Sequence, residues 1–178
     1  MGSYTGTRDT TLDRWQHTLS LGREAHLYVR TLEGASLLLR FEGLSLPAQA
    51  QVERAVLELF LMQRSSDQPV TLDAYMMRRP WQEETATWEQ ADVGTPWDVP
   101  GARGTRDRGA LLGQVSVQRR AGWVAVDVTE AVRAWQAHPD QNWGILLEAH
   151  GDSPVTLMFP SREWLSAKVR PRLRILWR

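Results

Sequence analysis

The sequence contains no cysteine and almost no lysine. Without cysteine, disulfide scaffolds, zinc–thiolate sites and thiol nucleophiles are excluded. Of the 21 basic residues only Lys168 is a lysine, so arginine carries nearly all the positive charge. The planar guanidinium suits carboxylate partners and stacks on aromatic rings, although a composition bias would give the same count. The formal net charge is zero, which provides no global attraction to nucleic acid or to an anionic membrane.

The sequence also lacks the signatures of catalysis. Its four histidines never stand two or four residues apart, which excludes the helical zinc motif of metalloproteases. No Gly-x-Ser-x-Gly elbow occurs, and Gly151-Asp152-Ser153 before Pro154 is typical of a hairpin turn. No apolar run approaches the ~20 residues of a membrane-spanning helix. We therefore predict a protein that is not an enzyme, has no cofactor and does not span a membrane.

Alternation of apolar and polar residues predicts β-strands along most of the chain. The longest such segment is Val52–Met62, where Ala55, Leu57, Leu59 and Leu61 share one face. Shorter segments with the same period are separated by turn signals and bring the total to about ten strands. The core residues predicted between two antiparallel sheets are Leu39, Phe41, Leu57, Leu59, Leu72, Leu146, Leu147, Leu173 and Ile175.

One segment, residues 127–137, departs from this period. Val128, Val132 and Trp135 stand there at helical spacing. Asp127 or Thr129 can cap the first turn, and His138-Pro139 ends the helix. The fold class predicted is all-β, namely a two-sheet antiparallel β-sandwich with jelly-roll-like topology and one short helix. The sandwich is expected to be a single domain over residues 9–178. Residues 1–8 are expected to be a tag or a disordered leader, since the first three residues resemble an expression remnant.

Short aromatic and charged motifs follow one another in a definite order. They are LLRF at Leu38–Phe41 with Leu46-Pro47, WQEETATW at Trp81–Trp88, GWVAVDVT at Gly122–Thr129, Val132 and Trp135 with Asn142, Gly144 and Leu146-Leu147, FPSRE at Phe159–Glu163, and RPRL at Arg170–Leu173. This ordered set resembles the motifs of the disaggregatase-related (DNRLRE) domain family. The resemblance covers roughly residues 9–178, and only Asp9-Thr10 and Gly22 are similar to the opening motif of that family.

The resemblance implies a carbohydrate-binding-module-like β-sandwich of secreted, often multidomain, prokaryotic proteins, some of which bind acidic algal polysaccharide. It implies an extracellular or cell-surface location, other domains in the same protein, and the structural calcium that such sandwich modules often hold. The partner expected is a polysaccharide or another cell-surface component. The alternative is a structural or protein-interaction module of a surface assembly or adhesin.

Aromatic and basic residues outside these motifs are the ligand candidates. Trp15 and His17 share one face of a predicted strand with Asp13. An exposed indole ring there would stack on the C–H face of a sugar. Tyr75 lies on the outward face of its predicted strand, just before Arg78 and Arg79. Arg30, Arg103 and Lys168 are further candidates for the carboxylates of an acidic glycan.

Trp97 lies in a Gly- and Pro-rich loop predicted over residues 91–110. It could contact the ligand there or simply hold the loop in place. The sequence identifies no set of metal ligands.

The tryptophans within these motifs are predicted to be structural. Trp81 and Trp88 are expected to form a lid over one end of the core, whereas Trp123, Trp135 and Trp143 are expected to pack the helix against the sheet. The sequence also suggests a partly buried ion network of Arg40, Arg162 and Glu163, because buried charges must be paired.

Overall fold

The computed structural model describes residues 4–47 and 49–178. In these residues the chain forms thirteen strands and one α-helix, α1, at Thr129–Ala137. The strands β1 to β13 span Thr7–Asp13, His26–Arg30, Ala35–Phe41, Val52–Leu61, Gln63–Arg64, Val70–Met77, Gln90–Asp92, Thr95–Pro96, Arg108–Val117, Gly122–Asp127, Ile145–His150, Thr156–Pro160 and Arg172–Trp177. The first three residues of the predicted leader lie outside the described residues, whereas Thr7 and Arg8 of that leader belong to β1.

The strands form two antiparallel sheets that pack face to face. The larger sheet has the order β5-β12-β2-β3-β11-β6-β9, and β1 pairs along β3. The smaller sheet has the order β10-β4-β13, and β7 and β8 form a separate ribbon. The chain passes from the smaller sheet to the larger one directly between β4 and β5. The predicted all-β sandwich with one short helix is confirmed.

The main core fills the space between the two sheets. Ala55, Leu57, Leu59 and Leu61 of β4 point into it and are buried, as their alternation predicts. Each large apolar side chain buried in this way stabilises the fold by about 1.5–3 kcal/mol.

A second hydrophobic cluster covers the opposite face of the larger sheet. Leu38 of β3 and Leu146 of β11 point away from the main core but are also fully buried, because the segment 78–107 lies over them. The prediction that the two sheets enclose Leu146 is therefore wrong. This outer cluster comprises Leu12, Leu38, Met77, Trp81, Ala86, Trp88, Ala91, Trp97, Ala102 and Leu146.

The segment 78–107 is consequently more ordered than the long loop predicted over residues 91–110. It contains β7 and β8, and β9 begins at Arg108. The predicted lid of Trp81 and Trp88 does lie over the sandwich, with both rings buried, although it covers a sheet face rather than one end of the core.

Helix α1 begins where the sequence predicts. The Asp127 carboxylate accepts a hydrogen bond from the Thr129 amide at 2.9 Å, and Trp135 is buried in the main core. Trp123, in contrast, lies half-buried on the outer face of β10, because Val124 and Val126 occupy the inward positions. Its predicted packing between helix and sheet is therefore wrong. None of the helices in the described part of the chain is long and apolar enough to cross a membrane.

A buried ionic cluster joins β1, the segment 78–107 and the turn after β12. Glu83 accepts hydrogen bonds from the Arg162 side chain at 2.7 Å and from the Asp9 amide at 2.8 Å. Asp9 in turn accepts one from the Arg162 amide at 2.7 Å. Burial, reinforced by the Glu83 carboxylate, raises the pKa of Asp9 to about 7. Arg40 pairs with Glu42 instead, at 2.5 Å, so the predicted network is only partly formed.

Candidate functional site

Trp15 lies in a turn, not on the predicted strand. Strand β1 ends at Asp13, whose carboxylate accepts a hydrogen bond from the Trp15 amide at 2.9 Å and so starts the turn. The Trp15 side chain is 73% exposed. The Arg30 guanidinium lies 3.7 Å from the centre of its ring. The indole is therefore supported by a cation and presents a large open aromatic surface.

The Asp13 carboxylate holds Arg30 and the Trp15 turn in place. It accepts hydrogen bonds from the Tyr28 hydroxyl at 2.7 Å and from Arg30 at 3.0 Å. Burial opposes ionisation of Asp13, but its hydrogen bonds, led by that from Tyr28, lower the pKa of the carboxyl below its usual range. The ionised carboxylate fixes Arg30 against the ring.

Arg30 also lines a cleft of about 420 Å³ on the outer face of the larger sheet. The β2–β3 hairpin forms one wall, residues 88–103 contribute the other, and β9 and β11 supply the floor. Arg30, Arg103 and Arg108 provide its positive charges, and we call it the arginine cleft. Two acids, Glu33 and Glu148, also line it.

Arg103 reaches the cleft from the segment 78–107. Its guanidinium pairs with Glu33 on the opposite wall at 2.6 Å and lies 5.4 Å from the centre of the Trp88 ring. The hydrogen bond from Arg103 lowers the pKa of Glu33. This ion pair therefore joins the two walls of the cleft.

Arg108 is held in the same manner on the floor. It pairs with Glu148 at 2.5 Å, and its guanidinium lies 3.9 Å from the centre of the Tyr75 ring. His150 stands beside them, with its Nε2 3.3 Å from an Asp73 oxygen and 3.7 Å from a Glu148 oxygen. Each cleft arginine thus has an acidic partner and an aromatic neighbour, which fixes its position before any ligand binds.

The structure brings four of the predicted residues together. Trp15 stands at the margin of the cleft through its contact with Arg30, Arg103 lines the opposite wall, and Tyr75 supports Arg108. His17 lies in the same turn as Trp15 and pairs with Glu89 at 2.7 Å.

Arg78 and Arg79 hold the segment 78–107 instead of facing the cleft. Arg78 donates to the Thr105 carbonyl at 3.0 Å, and Arg79 donates to the Pro96 carbonyl at 3.0 Å. Lys168 lies in the 3₁₀ turn Ala167–Val169 and is not among the residues that line the cleft.

Trp97 is only 5% exposed. Its indole N–H donates to the Thr87 carbonyl at 2.9 Å. Of its two predicted roles, the structure shows that Trp97 holds the segment in place.

Sequence reasoning missed Glu33, Arg108, Glu148 and His150. Their convergence depends on strand pairing between distant segments: β6 lies between β9 and β11, and this order sets Asp73 opposite both Gln114 and Glu148. The alternation of residues in β6 predicts that Tyr75 points outward. This was the one signal in the sequence that polar side chains occupy the outer face of the larger sheet.

Side chains that commonly bind metal ions do not cluster in the described part of the chain. Within residues 4–47 and 49–178, no three His, Asp or Glu side chains come close enough to hold an ion.

A comparison with protein families gives one match to the chain. The model of carbohydrate-binding module family 96 matches residues 3–176, which include both sheets, the helix and the segment that forms one cleft wall. No curated protein matches the chain.

Proposed function

Because the chain belongs to carbohydrate-binding module family 96, we propose that the arginine cleft and Trp15 bind an acidic polysaccharide. The carbohydrate-binding class expected from the sequence motifs is confirmed by this family, and we further propose kinship with the disaggregatase-related domains. The proposed module is non-catalytic and works outside the cell or at its surface, alongside other domains of a larger protein.

The exposed Trp15 ring beside the cleft is the observation that carries the proposal. A large aromatic side chain normally contributes to stability through burial, yet Trp15 is mostly exposed to solvent while the carboxylate of Asp13 and the guanidinium of Arg30 hold it in place. A fixed, open ring is suited to stacking on the C–H face of a sugar.

The charge of the cleft favours an acidic chain over a neutral one. Arg30, Arg103 and Arg108 outnumber Glu33 and Glu148 among the lining residues. Guanidinium groups bind carboxylates through paired, charge-assisted hydrogen bonds. A uronate unit offers both the carboxylate that the arginines would bind and the C–H face that Trp15 would contact.

Affinity gel electrophoresis tests this function directly. Gels that contain polygalacturonate or alginate should retard the protein, gels that contain neutral dextran should not, and added salt should reduce the retardation. Arg103→Gln should weaken the interaction several-fold, because it removes one cation from the cleft. Arg106→Gln is the matched control, since Arg106 is exposed and pairs with Asp98 outside the cleft. Equal retardation by neutral and acidic glycans would argue against an acidic ligand.

The same glycans test the proposal that the module is not an enzyme. Purified protein should release no reducing ends and no unsaturated sugars during long incubation. Their release would show that the module is an enzyme.

A second function, contact with another protein domain, is supported by one surface. Leu176 and Trp177 are exposed on β13, which is an edge strand of the smaller sheet, and exposed edges invite strand pairing. A concentration-dependent increase in mass that Trp177→Ser abolishes would support this function. Contact through the edge of β13 would leave the arginine cleft free to bind a glycan.

A further inference from the structure

The tight turn between β2 and β3 has an unusual backbone for its sequence. Leu32 and Glu33 both have positive φ, at 56° and 57°, as in the mirror-image turns of two-residue hairpins. Such turns favour Asn-Gly, because side chains of most L-residues clash with the backbone in this region. Leucine and glutamate are poor choices for the two positions.

Strain of this kind is concentrated around the arginine cleft. Among the described residues, the only other non-glycine residue with positive φ is Ala102, at 59°, which precedes Arg103 on the opposite wall. Strained backbone that is retained near a cleft is often linked to function.

Glu33 makes a structural contact that accounts for its presence in the turn, whereas Leu32 makes none. Glu33 pairs with Arg103 across the cleft. Leu32 is 55% exposed, so it adds little to the core, and its side chain lines the cleft two residues after Arg30. Both turn propensity and burial therefore argue against a leucine here.

We propose that Leu32 is a ligand-contacting residue of the arginine cleft. Its methyl groups would contact the apolar face of a sugar unit whose carboxylate binds the cleft arginines. The Trp15 ring stacks on Arg30. Leu32 lines the same cleft as Arg30. A glycan bound over Arg30 would therefore contact apolar surface at Trp15 and at Leu32. This inference rests on the proposed function and deepens it.

Leu32→Asn tests the inference, because asparagine suits the turn but lacks the apolar side chain. The variant should melt about 2–4 °C above the parent, since it relieves backbone strain. Its retardation in polygalacturonate or alginate gels should nevertheless indicate binding about three- to tenfold weaker than that of the parent. A gain in stability combined with a loss in affinity is not expected of a residue that only shapes the turn.

Two control variants make the result specific. Leu32→Met keeps both an apolar side chain and the backbone of the turn, so binding to the polyuronates and the melting temperature should stay close to those of the parent. Leu165→Asn replaces a leucine that is 98% exposed and lies outside the cleft, and it should not change binding.

Affinity within twofold of the parent in Leu32→Asn would overturn the inference while leaving the proposed function intact. A lower melting temperature in Leu32→Asn would also overturn it, because Leu32 would then stabilise the fold. If the parent itself binds no glycan in the gels, the proposed function fails first and Leu32 has no ligand to contact.

Discussion

Replacing Trp15 with alanine should separate ligand binding from stability. About a quarter of the Trp15 side chain is covered, which corresponds to roughly 50 Å² of a tryptophan surface. At ~25 cal/mol per Å², the loss of this contact costs at most about 1.3 kcal/mol. We therefore expect Trp15→Ala to melt no more than about 5 °C below the parent.

Trp15→Ala should also weaken the affinity for the glycan. Stacking on a fixed aromatic ring contributes about 0.5–1.5 kcal/mol beyond the contact area, which is about a two- to tenfold change in Kd. Arg30 also loses the ring on which it lies, so its carboxylate-binding geometry becomes less fixed. Titration calorimetry with oligogalacturonate or oligoalginate would measure the change, and differential scanning calorimetry would measure the stability.

Two tryptophan variants bracket this result. Trp97→Ala removes a buried ring from the outer cluster and should cost about 3–5 kcal/mol of stability, which lowers the melting temperature by about 10 °C. Trp177→Ala removes an exposed ring far along the chain on β13 and should leave glycan affinity unchanged. The reasoning is refuted if Trp15→Ala binds as tightly as the parent, or if it melts as early as Trp97→Ala.

Two further predictions concern titration and metal. In the unfolded chain the pKa of Asp9 has its ordinary value of 3.8, whereas in the folded protein it is about 7. The folded state therefore binds more protons between these values, and stability should fall as the pH rises from about 4 to about 7. Asp9→Asn cannot ionise, so it should melt several degrees above the parent at pH 8 and equally at pH 4. Asp67→Asn, at an exposed site, keeps Asp9, so its melting temperature should follow that of the parent at both pH values. A structural calcium of the kind that the resemblance implies would make the fold sensitive to EDTA, so the melting temperature should fall by several degrees relative to calcium-containing buffer; an unchanged melting temperature would argue against such a site.

Local sequence pattern accounts for the main core but not for the outer cluster. Alternation in β4 and the helical spacing of Val132 and Trp135 are properties of single segments, so both predictions are confirmed. Leu38 alternates with Leu37 and Leu39, so its outward direction can be read from the sequence. Leu146 lies in the continuous apolar run Ile145-Leu146-Leu147, where no alternation indicates that it points outward. Whether an outward leucine meets solvent or another layer depends on a distant segment, and no local pattern reveals this.

The candidate site shows the same division. Trp15 could be selected from the sequence because it is aromatic among polar neighbours, although its turn was mistaken for a strand. Arg30 and Arg103 could be named only as isolated cations. Their meeting in one cleft with Arg108 depends on how the hairpin, the segment 78–107 and β9 come together in three dimensions.

The outer cluster has a consequence for how the cleft wall moves. Trp88 belongs to this cluster and also lines the cleft, while Leu12, Leu38 and Leu146 tie the same cluster to three strands of the larger sheet. Opening the wall would expose these buried side chains to water, so local opening should cost nearly as much as unfolding the whole domain. Amide protons of the wall, including the Trp97 amide that donates to the Glu89 carbonyl at 3.0 Å, should therefore exchange as slowly as those of the central strands.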